Sequence, residues 1–106
     1  METAYALVLT TCADSASADQ IATMLVEKRL AACVQILPIN SVYEWEGKVA
    51  KADELMLLCK IKSADYGDVE AAIQSTHAYS VPEIIQIPIE RGAQSYLAWI
   101  DSVTRR

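Results

Sequence analysis

At 106 residues, 53% hydrophobic and 22% charged, the chain has the make-up of one folded domain, 1–106, rather than a disordered segment. Its net charge of −5 argues against a nucleic-acid partner, which asks for a basic footprint. Cys12, Cys33 and Cys59 are spaced too widely for a zinc knuckle or a redox pair, and reduced thiols fit a cytoplasmic address.

Ala4 to Thr10 is a continuous apolar run that reads as a strand buried on both faces. It is too short to span a membrane and lacks a basic leader. Ser17, with Gln20 three residues on, has the spacing of a capping box and predicts a helix ending near Leu30. Ala18, Ile21, Ala22 and Leu25 fall on its inner face. A second strand follows from Ala32 to Leu37. Pro38 breaks or bulges it, because proline cannot donate a ladder hydrogen bond. The chain resumes at Ile39 and enters a hairpin that runs from Asn40 to Ile61. At ~3.3 Å per residue a ten-residue strand spans ~33 Å. A domain of this size has a radius of gyration of only ~13 Å. The hairpin tip is therefore expected to project. Alternation puts Tyr43, Trp45 and Val49 on one side and Glu44, Glu46 and Lys48 on the other. Tyr43 and Trp45 are expected to anchor an interface with another copy, rather than to stack on a ligand.

Ser63 predicts the cap of a second helix that runs to Thr76, with Tyr66, Val69 and Ile73 inward and Gly67 weakening its first turn. Glu83 to Ile89 is a last strand. Gln94 to Val103 is a closing helix with Tyr96, Ile100 and Val103 on one stripe. The order β-α-β-β-α-β-α predicts an α+β, ferredoxin-like fold with both main helices on one face of a four-stranded antiparallel sheet. The strands carry apolar residues at consecutive positions, not alternate ones, so the helix-free face must also be covered. Self-association is the expected cover.

The segments AACVQILPINSVYEWEGKV, CKIK, HAYSVPEIIQIPI and YLAW, in that order, resemble the CutA family of divalent-cation-tolerance proteins. The resemblance implies a ferredoxin-like fold, a homotrimer related in architecture to PII-type signalling proteins, a cytoplasmic location and tolerance of metal ions, mainly copper. The copper ligands it implies are a Cys at the end of the first strand and two adjacent His after the second helix. Counting back from Cys33, the Cys position falls on Thr10, with Cys12 two residues later on the loop. The His pair falls on Thr76 and His77, so one His is present, and the following residues read Ala78-Tyr79-Ser80.

The metal candidates are thus His77, Cys12 and Thr10. His77 also reads simply as the residue that ends a helix, where partial positive charge is favourable. Lys60, Tyr79 and Glu83 could line a cleft between subunits and hold a small anion or metal complex, or close the assembly with an intersubunit ion pair. No Ser/His/Asp set, phosphate loop or HExxH occurs, so no enzyme activity is expected. The leading function is a metal-responsive or weakly metal-binding trimeric accessory protein. Its ligand would be copper or another divalent cation, none being required for the fold. The rivals are a PII-like sensor of a small ligand and a structural trimer that presents a surface to a protein partner. A membrane partner is not expected.

Overall fold

The computed structural model describes residues 3–106. Its elements run β1 (Tyr5–Cys12), α1 (Ser15–Glu27), β2 (Ala31–Trp45), β3 (Lys48–Lys62), a short 3-10 turn (Ser63–Asp65), α2 (Tyr66–Thr76), β4 (Ile84–Pro88) and α3 (Gln94–Val103). The strands form one antiparallel sheet in the order β2-β3-β1-β4.

Strand geometry sorts the residues between two faces. Ala6, Val8, Thr10 and Cys12 of β1, paired with Ile61, Cys59, Leu57 and Leu55 of β3, make one face. These residues pack with Ala18, Ile21 and Leu25 of α1 and Val69, Ala72 and Ile73 of α2 in a single buried core. The opposite face carries Leu7, Leu9, Leu58, Met56 and Leu37 with Ile85 and Ile87. Leu37, Ile85 and Ile87 remain exposed there. The cover of the helix-free face is not left wholly to self-association, as the sequence reading expects. The third helix packs against β2 and β3, and its Tyr96 meets Lys60, whose register row includes Leu7 and Cys33. It covers one end of that face.

Four local expectations are corrected. The first helix is capped by Asp14, whose side chain accepts from the Ser17 N–H at 2.8 Å; Ser17 lies inside the helix. That helix ends at Glu27 and the chain turns through Arg29 in the left-handed region, φ 59°. Ser63 opens the 3-10 turn and makes no cap, and Asp65 precedes α2 without a side-chain bond. Pro38 neither breaks nor bulges β2. It pairs opposite Leu55, and the register shift lies between Ala31 and Cys33 instead. As β2 is an edge strand, a residue without an N–H is tolerated there.

The hairpin projects as expected. Pairing of β3 with β1 ends at Leu55–Cys12, so residues 39–54 pair only with one another. The chain is correspondingly elongated, 44 × 27 × 22 Å. The arm closes on Glu46 (φ 51°) and Gly47 (φ 78°), a two-residue turn with both centres left-handed, whose twist suits the flanking strands. That turn changes the parity of the second strand. Trp45 pairs with Lys48 and Tyr43 with Ala50, whereas Glu44 pairs with Val49 and Val42 with Lys51. Val49 therefore lies on the face opposite Trp45, and Lys48 on the same face, the reverse of the sequence reading. Both arm faces carry exposed apolar groups: Trp45 (63%) on one, Val42 (65%) and Val49 (75%) on the other.

Candidate functional site

Two of the metal candidates meet where β1 ends beside the end of α2. Cys12 is the last residue of β1, not a loop residue, and is fully buried. Its Sγ stands 4.0 Å from Nε2 of His77. Burial, followed by the charges of Asp14 and Glu54, pushes its thiol pKa up. Thr10 is two residues back on the same strand face, fully buried between Leu57 and Ile84. Its Oγ1 has no hydrogen-bond partner among the described residues.

His77 is the C-cap of α2, where its backbone N–H reaches the Ile73 carbonyl at 2.8 Å. Its ring nitrogens are both engaged: Nε2 with the Thr11 carbonyl at 2.7 Å, Nδ1 with the Tyr79 backbone N–H at 3.0 Å. The ring also packs against that of Tyr79, with centroids 4.7 Å apart. Tyr79 in turn donates its phenol to Oε2 of Glu54 at 3.0 Å, on the root of the arm. Burial first, then the bond to Glu54, pushes its phenol pKa up to about 12.

The fold brings Cys12, His77 and Tyr79 together but leaves Thr10 in the core and Lys60 far off. Lys60 is six residues along β3 from Glu54, ~20 Å at strand rise. Its ammonium donates to the Tyr96 hydroxyl at 2.8 Å and lies 4.9 Å from the centre of that ring. Glu83 is exposed just before β4. Lys60, Tyr79 and Glu83 thus form no common cleft within one protomer. Tyr43 is half exposed, and Trp45, at the arm tip, is largely exposed.

Sequence reasoning missed Glu54, Tyr96 and the Thr11 carbonyl. Glu54 and Tyr96 lie 25 and 36 residues from their partners, and a backbone carbonyl has no residue signature. A cleft of about 540 Å³ at the arm root was missed too. Asp14, Asn40, Asp53 and Glu54 are among its lining residues, and none of the sequence candidates is.

A divalent cation implied by the resemblance fits this corner poorly. A soft metal asks for thiolate and for imidazole with a free lone pair. Here the thiol pKa is pushed up, both imidazole nitrogens are in use, and a threonine hydroxyl sits in the core. Among the described residues no three His, Cys, Asp or Glu side chains come together as a ligand set. Among the same residues, no helix is long and apolar enough to cross a membrane.

Comparison with known proteins gives one answer. Residues 6–103 match the family model described as CutA1 divalent ion tolerance protein. The chain is 45% identical over 84 residues to the divalent-cation tolerance protein CutA of Archaeoglobus fulgidus, covering 79% of this chain and 82% of that one. It is 41% identical over 95 residues to protein CutA of Mus musculus, covering 89% of this chain but 54% of the mouse protein, about half its length. The crystal structure of a CutA1 described as a stable protein, from a psychrotrophic Shewanella, superposes with TM-score 0.96 at 37% identity, covering 100% of both chains.

Proposed function

The chain belongs to the CutA1 divalent ion tolerance family, and from that premise we propose that it serves tolerance of divalent cations, copper among them, as a cytoplasmic, non-enzymatic homotrimer acting through its assembled surface. One observation carries this reading. Leu37, Ile85 and Ile87 on the helix-free sheet face, and Trp45, Val42 and Val49 on the arm, stay exposed in the single chain. Exposed apolar groups gathered on one sheet face and along a projecting arm mark interaction sites. An arm with apolar groups on both faces needs neighbours on both sides, which two flanking copies of a ring supply. The element order and the strand order β2-β3-β1-β4 support the ferredoxin-like reading, in which an open sheet face is free for such packing. The free state of Cys12, Cys33 and Cys59 supports the cytoplasmic address. The rival reading, a PII-like metabolite sensor, calls on Lys60, Tyr79 and Glu83 in a cleft between subunits, to which different protomers would have to contribute, since one protomer keeps Lys60 away from Tyr79.

The test is growth of a host lacking its own tolerance protein under graded copper and zinc. The parent chain should restore growth, and Trp45→Ala, designed to weaken assembly, should not. Restoration by a variant verified to be monomeric would overturn the role given to assembly.

A further inference from the structure

Imidazole chemistry makes the environment of His77 decisive. A carbonyl oxygen can only accept, so the 2.7 Å contact with Thr11 requires hydrogen on Nε2. A backbone N–H can only donate, so the 3.0 Å contact from Tyr79 requires the lone pair on Nδ1. The two contacts assign a single tautomer, neutral and protonated at Nε2. Coordination uses an unprotonated ring nitrogen. The nitrogen nearest Cys12, at 4.0 Å, is the one that carries hydrogen. The other nitrogen has its lone pair filled by the protein itself. A metal-bound histidine commonly donates its second N–H to a carbonyl, leaving the first nitrogen open. Here that arrangement is complete on the donor side and closed on the ligand side.

We infer that His77 is a positioning residue, fixed as the Nε2–H tautomer, that staples the segment after α2 to the end of β1, and that the Cys12–His77 corner of this chain does not coordinate a divalent cation. The staple joins Thr11 to a residue 66 positions away and delivers Tyr79 to Glu54, so it ties three parts of the chain at the arm root. Cys12, wholly enclosed beneath it, acts as a small apolar group of the core. This goes beyond the proposed function and stands apart from it, because assembly needs neither outcome at His77.

His77 is the chain's single histidine, so an untagged sample labelled with nitrogen-15 gives one imidazole spectrum. The expected pattern is hydrogen on Nε2 and none on Nδ1, unchanged by excess zinc(II). A Nδ1–H pattern, or ring signals that shift stoichiometrically with zinc, would overturn the assignment. Calorimetric titration with copper(II) supplies the second arm. His77→Ala should bind copper as the parent does, and a tenfold or greater loss of affinity in a folded variant would restore His77 as a ligand. A third arm reads the staple itself. Tyr79→Phe should destabilise the parent but have little further effect in a His77→Ala background. Full additivity would show that His77 does not position Tyr79.

Discussion

Replacing Thr10 with valine tests the placement of this residue in the core. The side chain is fully buried on the helix-covered face, and its hydroxyl has no partner among the described residues. An unsatisfied buried polar group costs about 1–3 kcal/mol. Valine keeps the branched shape, removes that cost and adds a methyl of about 0.8 kcal/mol in transfer energy. Allowing for imperfect fit of the new methyl between Leu57 and Ile84, the net gain should be about 1–2 kcal/mol. In a domain of this size that is a rise in melting temperature of roughly 4–8 °C per kcal/mol. Urea unfolding of parent and variant at one fixed protein concentration is the assay, since association contributes to apparent stability. Thr10→Ser is the control. It keeps the hydroxyl and deletes the methyl, so it should destabilise. A destabilised valine variant beside a neutral serine variant would refute the reasoning, because the hydroxyl would then be the part that the fold needs.

Trp45→Ala should weaken association by about 2 kcal/mol or more, as truncated interface aromatics do. Sedimentation of parent and variant over the same dilution series checks this, and identical curves would make Trp45 a free surface residue. Tyr79→Phe removes the bond to Glu54. The folded phenol titrates near 12, above its unfolded value of about 10, so its contribution is full below pH ~10 and is lost as pH rises through about 12. The stability difference between parent and Tyr79→Phe should shrink across that window, and a difference that stays constant would contradict it.

The inner faces of α1 and α2 were legible because Ala18, Ile21, Leu25, Val69 and Ile73 recur at helical spacing. The element order was legible from apolar patterning, and the projecting arm from the length of the 40–61 segment. Errors arose where two signals competed or where partners were remote in sequence. Asp14 and Ser17 are both good caps, and only the backbone bond chooses between them. Pro38 looked like a break because its place on an edge strand is a property of the sheet. Val49 was put beside Trp45 because a single alternation was carried through a turn that resets it. At the candidate site, the sequence names His77 and Cys12 as metal candidates but places Cys12 on a loop, whereas it is the buried end of β1 beside His77. The groups that occupy the His77 ring are backbone atoms, which residue types do not reveal. Thr10 was placed by counting from Cys33, and β1 runs two residues past it to Cys12.

Sedimentation of the unmodified protein, diluted below micromolar, bears most directly on the proposed assembly through the exposed sheet face and arm. The expected species has three times the 11.6 kDa chain mass. A well-folded species at 11.6 kDa would leave Leu37, Ile85, Ile87 and Trp45 in water and would contradict it.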